Sequence, residues 1–207
     1  LLWYNIYGEK MNKLYYNFKE NLTGIYEEKK SKFYSYVFNA NNEEECLSHI
    51  LNIKEKNKDA RHVVYIYSIL KNGKKIIRFS DDGEPQGTGT RAIYDALEKE
   101  NITNICIVIV RYFGGILLGA GPLSRAYFKA YKNAIEGVKK DIIYNYIEKS
   151  YILTYSDYEK LKTDLKNYIE KDKIEIVKVN YNDNIEVDLN IREDVNEEVE
   201  NLIKKYI

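Results

Sequence analysis

In 207 residues the chain has two cysteines, two prolines, two histidines, one methionine and one tryptophan. Cys46 lies in an acidic, helix-like stretch and Cys106 in an apolar strand, with no CxxC and no histidine paired to either. Neither a disulfide framework nor a zinc site is signalled. Two unpaired thiols fit a reducing compartment, so a cytoplasmic location is expected. No apolar run approaches the roughly 20 residues of a membrane helix, and the longest, Ile105 to Val110, has the length of a strand. The opening LLWYNIYGEK lacks the basic start and small-residue cleavage site of a secretory signal. Met11 reads as the natural start and residues 1–16 as an extension. His49 follows Ser48 in a helix, and His62 opens a strand beside Arg61. With no Ser-His-Asp or Cys-His constellation, no catalytic residue, cofactor or metal is assigned, and the chain reads as non-enzymatic.

At 44% apolar and 31% charged residues, the composition is that of a folded protein with one substantial core or two small ones. The formal net charge of zero hides a division. Residues 1–140 hold 22 Lys/Arg against 16 Asp/Glu, and residues 141–207 hold 10 against 16. The acidic half is a poor surface for nucleic acid.

Glycine is unevenly spread: seven of the 11 fall between Gly83 and Gly121, and both prolines, Pro85 and Pro122, are beside them. Such a concentration marks backbone that bends sharply or approaches something closely. Ahead of it, KFYSYVF alternates as a strand, with Phe33, Ser35 and Val37 on one side. Asn42 caps a helix with Glu43, Glu44 and Glu45 in its first turn and Leu47, Ile50, Leu51 and Lys54 at helical spacing. RHVVYIYSIL and KIIRFSD form a hairpin around Asn72-Gly73, which leads into FSDDGEPQGTG. A helix over Ala92 to Lys99, a buried strand over Asn104 to Tyr112 and a helix over Pro122 to Gly137 follow. The packing face of the last is Leu123, Ala126, Tyr127, Ala130, Ala134 and Ile135. Beyond residue 140 the order is strand, helix, strand, strand, helix, with Ser156 or Asp157 as a helix cap and Val195 to Tyr206 as the final helix. A split βαββαβ domain needs one more strand, so either the domain is truncated or an edge position is empty.

Two segments carry candidate chemistry. In Ser80, Asp81, Asp82, Gly83, Glu84, Pro85, Gly87, Thr88 and Gly89, three carboxylates could hold a cation or move protons. The same residues make turns, with the carboxylates accepting from turn amides and Pro85 fixing the exit. In RYFGGILLGAGPLSRAY a buried strand, a glycine loop and a helix N-terminus follow in the order of an anion site. It has neither GK[ST] nor GxGxxG, so it is not a P-loop or a dinucleotide fingerprint. Arg91, Arg111 and Arg125 beside Tyr112, Phe113 and Tyr127 offer guanidinium and aromatic groups for unpaired RNA bases and phosphates. Gly114, Gly115, Gly119 and Gly121 supply the backbone for such a site. Phe113 is expected in the core. Chain order brings both loops out of neighbouring strands, which gives one surface centred on Arg111 and Arg125 with the acidic turn as a brace.

RHVVYIY, FSDDGEPQGTG and RYFGGILLGAGPLSRAY, in this order, closely resemble the bacterial YigZ-like branch of the IMPACT family, over about Lys29 to Val138. The resemblance implies an α+β protein. Its N-terminal domain, residues 17–139, is expected to have the ribosomal protein S5 domain 2-like fold. Residues 140–207 would form a ferredoxin-like domain similar to the last domain of elongation factor G, lacking its last strand. Eukaryotic members are translational regulators with an added RWD domain that this sequence does not show. This chain departs from the family pattern at Ala92 and Pro122, where proline and glycine are usual, and at Leu117, where lysine is frequent. Three functions follow as expectations. The first is a non-enzymatic, translation-associated regulator that binds RNA or a ribosome-associated partner through the basic domain. The second is a nucleotide- or phosphate-binding protein or enzyme using the glycine loop. The third is a protein-interaction module. No membrane partner is expected.

Overall fold

The computed structural model describes residues 14–71 and 74–207, so the Met11 start, most of the N-terminal extension and the Asn72-Gly73 turn lie outside the described residues. The chain divides into two compact units, each with its own core, and the described residues belong to Leu14–Ile143 and Tyr144–Ile207.

The first unit is built on a five-stranded antiparallel sheet in the order β2 (Leu22–Glu28), β3 (Ser31–Asn39), β6 (Ile105–Tyr112), β4 (His62–Lys71) and β5 (Lys74–Ser80). The central strand β6 is buried from Ile105 through Arg111 because helices cover both faces. Ile105, Ile107 and Ile109 point to α2 (Arg91–Lys99) and α3 (Ala120–Ile135), while Cys106, Val108 and Val110 point to α1 (Glu43–Lys56). A strand enclosed this way reads as a continuous apolar run, as this one does.

The predicted cap of α1 is present: Glu45 N–H donates to Asn42 Oδ1 at 2.8 Å, and Asn41 N–H donates back to the Glu45 carboxylate. The packing face differs from the expected one, since Cys46, Ile50 and Ile53 are buried while Leu47 and Leu51 are exposed. A second apolar stripe exists on α1, and the sheet takes the one containing the small Cys46. All six residues assigned to the packing face of α3 are buried. The helix starts two residues before Pro122, at Ala120.

Gly24 explains how closely α3 approaches β2, because a Cβ there would stand 2.3 Å from Ala134 N. Tyr15 and Tyr16, read as part of the extension, lie in β1 (Tyr15–Asn17), which pairs with β7 (Asp141–Ile143). That pairing holds residues 141–143 to the first unit.

In the second unit, β8 (Tyr146–Leu153), β10 (Ile185–Arg192) and β9 (Ile174–Tyr181) form an antiparallel sheet in that order. One sheet face and the helices α4 (Tyr155–Glu170) and α5 (Asn196–Ile203) enclose a single core containing Leu161, Leu165, Val187, Leu189, Val199 and Ile203. The cap of α4 is Thr154, not Ser156 or Asp157: Asp157 N–H donates to Thr154 Oγ1, and the helix begins at Tyr155, two residues earlier than a cap at Ser156 allows.

Candidate functional site

The two glycine signatures follow β5 and β6, which are separated by β4 rather than adjacent. Because the sheet is antiparallel, β5 and β6 end at the edge where β4 begins. This places Arg61 and His62 between the two loops. Sequence reasoning set His62 aside as a lone histidine. Its one signal in the sequence is its place beside Arg61 at the start of a strand.

The acidic turn is a brace, and nearly every carboxylate atom in it has a partner. Asp81 accepts from Gly87 N–H at 2.7 Å, Gly89 N–H at 3.0 Å and the Thr90 hydroxyl at 3.0 Å. Asp82 accepts from Val63 N–H at 2.7 Å and pairs with Lys54 at 3.2 Å, and its amide donates to Ser80 Oγ. Asp82, Gly83 and Gly87 have positive φ, and Thr88 closes the turn on the Pro85 carbonyl at 2.6 Å. Gly89 leaves room for Val64, 2.8 Å from where its Cβ would be. Among the described residues no group of three or more His, Cys, Asp or Glu side chains is placed to hold a metal ion.

Glu84 points inward. Its Oε1 accepts from Arg111 Nη1 at 2.6 Å and from the Tyr127 hydroxyl at 2.7 Å. Arg111 is 5% exposed, packed between the rings of Phe33 and Phe113, so it is no free surface cation. Tyr127 is fully buried against Phe33, and burial, reinforced by Glu84, pushes its phenol far above its ordinary range. It cannot stack on a base. Tyr112 is on the opposite sheet face from Arg111, and its hydroxyl donates towards Asn57 and Asp59. Its predicted partnership with Arg111 fails because neighbouring residues of a strand face opposite ways.

The other predicted residues divide. Gly114 is a packing glycine: its Cβ would lie 2.1 Å from the Lys30 carbonyl carbon, and its amide donates to buried Ser31. Gly115 has φ of +83° with open space around it. Gly119 caps α3 with no side-chain bond to the first-turn amides, and Gly121 lies in that turn. Arg125 is exposed and folds back over Gly121; it makes no ion pair or hydrogen bond among the described residues. Arg91 is on α2, paired with Asp95 and resting on Tyr94, in a separate hollow floored by Phe79 and Tyr94.

A groove of about 480 Å³ joins what remains. It is lined by Arg61, His62, Glu84 and Arg111, by Phe113 and Leu117, and by Gly119 and Ala120 at the start of α3. Phe113, expected in the core, is 38% exposed at this groove with Arg61 5.8 Å and Arg111 5.7 Å from its ring centre. Arg111 Nε has no partner among the described residues. A buried cation, an open helix N-terminus and an accessible aromatic ring thus share one wall.

The model of the Impact N-terminal domain matches residues 29–135, more than half of the chain and most of the first unit. The chain belongs to the IMPACT family. An IMPACT family member of Haemophilus influenzae is 33% identical over 172 residues, covering 82% of each chain. The IMPACT family member YigZ of Escherichia coli is 34% identical over 108 residues, 51% of this chain and 52% of that one. The fold is similar to a crystal structure of a hypothetical protein, with TM-score 0.72 and 22% identity over 94% of this chain and 93% of that one. Both glycine signatures, and every residue lining the groove, fall within the span matched to the IMPACT domain.

Proposed function

We propose that this protein is a translation-associated regulator that binds RNA through the groove between its two glycine signatures. The observation that carries the reading is the exposed Phe113 ring flanked by two guanidinium groups, beside the uncapped first turn of α3. A base stacks on the ring, and phosphate oxygens meet the free amides, Arg61 and Arg125. The surplus of positive charge over residues 1–140 supports this choice of unit, and membership of the IMPACT family, whose eukaryotic members are translational regulators, supports the link to translation. The same reading takes the first unit as ribosomal protein S5 domain 2-like. It takes the second as ferredoxin-like, similar to the last domain of elongation factor G, on the strength of its strand order β8-β10-β9 with two helices on one face.

The surface differs from the one the sequence suggested. Arg111 stiffens the groove floor, and the exposed cations Arg61 and Arg125 make the phosphate contacts. Fluorescence anisotropy with a single-stranded RNA of about ten nucleotides tests this. Binding should weaken with salt at a log–log slope of about −0.7 per phosphate contacted. Phe113→Ala should cost about 1–3 kcal/mol of binding, the usual worth of one stacked base. RNA binding that is absent at low salt, or unaffected by Phe113→Ala together with Arg61→Ala, would remove the proposal.

A further inference from the structure

The groove wall holds a pair of atoms that phosphate and base contacts leave unused. His62 Nδ1 lies 2.8 Å from the Asp82 carbonyl oxygen. A carbonyl only accepts, so Nδ1 carries the proton, and in the neutral ring Nε2 presents a lone pair. Nε2 is 3.8 Å from Glu84 Oε2, too far for a hydrogen bond between them. Glu84 uses Oε1 for Arg111 and Tyr127, and Oε2 has no hydrogen bond among the described residues. Both side chains are largely buried, at 14% and 4% exposure, and both line the groove.

Two acceptors side by side in a cationic groove are a poor fit for phosphate, which brings only more acceptors. They are a good fit for a ligand that brings a donor. We infer that Glu84 and His62 read a ribose hydroxyl, so that the groove selects RNA over single-stranded DNA. This rests on the nucleic-acid reading above and adds the sugar to it. The 2′-hydroxyl donates to Glu84 Oε2, and His62 Nε2, 3.8 Å from that oxygen, is the second acceptor for the same hydroxyl. The neighbouring phosphate then falls towards Arg61 and the first turn of α3. The bonds from Arg111 and Tyr127 to Oε1 fix the Glu84 carboxyl in place, with Oε2 left for the ligand. Gly83, with φ of +84°, lies beside the His62 ring, whose Nδ1 is 3.6 Å from where a Cβ would stand.

The test compares three labelled strands of identical sequence, about ten nucleotides of oligouridylate: the ribose form, the 2′-deoxy form and the 2′-O-methyl form. The ribose strand should bind at least roughly tenfold more tightly than the other two, since a hydrogen bond to a charged acceptor is lost in both. His62→Ala should shrink that ratio, with the melting temperature of the variant confirming that it is folded. Glu84→Gln, which keeps the shape and weakens the acceptor, should move the ratio the same way. Equal affinity for ribose and deoxy strands would overturn the inference and leave nucleic-acid binding standing. Binding to none of the three at low salt would overturn both. A ratio unchanged in folded His62→Ala and Glu84→Gln would place the discrimination elsewhere and overturn the inference.

Discussion

Glu84 shows how one side chain ties the two signatures together. It comes from the acidic turn, and its partners Arg111 and Tyr127 come from the end of β6 and the middle of α3. The pair with Arg111 is buried on both sides, with 6% and 4% exposure. Removing one charge from such a pair leaves the other without compensation, which typically costs about 3–5 kcal/mol. Arg111→Met should therefore destabilise the first unit by that order in urea unfolding. Combining it with Glu84→Met should recover much of the loss, because the apolar pair strands no charge. A single Arg111→Met variant as stable as the parent would show that the ion pair contributes nothing to the fold. Buried Cys46 and Cys106 raise a different point at the same scale. A hydrogen bond with Cys46, together with burial, holds the Cys106 thiol far above its ordinary range, so it stays protonated and unreactive in the folded protein.

Among the elements, the loop after β6 is held from below by the tight turn between β2 and β3. Gly114 lies against the backbone of Lys30 and Ser31, and Lys29 and Lys30 both have positive φ. Two backbones in contact leave no flexible side chain to give way. Gly114→Ala should cost about 1–3 kcal/mol, the usual range for overpacking, seen as a lower melting temperature. It should also weaken RNA binding by displacing Phe113, the residue before it. Gly115→Ala meets open space and suffers only its unfavourable φ. It should be the milder of the two, and the reverse ranking would contradict the packing role of Gly114.

Across the whole molecule the units differ in charge, and the second carries carboxylates that tie its stability to acid. In the second unit Asp194 is held below the ordinary carboxylate range by its bond to Arg192, Glu200 by its bond to Lys149, and Asp157 by Thr154 and Lys160. Carboxyls whose folded values are depressed stabilise the fold above the unfolded value of about 4, and the benefit is lost as pH falls through the folded values. The second unit should therefore lose stability as pH drops below about 4, and Asp194→Asn should flatten that dependence. Residues 144–207 contain no tryptophan and many tyrosines, so amide hydrogen exchange resolved by segment is the suitable measurement.

The sequence alone determined the family, the alternation that buries Phe33 and Val37, the cap at Asn42 and the packing face of α3. These features depend on neighbours close in the chain, or on a repeat that a helix or strand imposes. It also marked the stretch that matters, because glycine is concentrated where backbone must bend or touch. Only the tertiary structure decided what each residue there does. Arg111 looks like a surface ligand in the sequence, and Tyr127 reads both as a ligand and as part of the α3 packing face; both are core partners of Glu84, whereas Phe113 looks like core and stands at the groove. His62 had no visible partner until the antiparallel sheet set the start of β4 between two loops that follow it in the chain. A charge is useful to a ligand only if the fold leaves it unpaired, and pairing is set by which strand ends share one edge of the sheet.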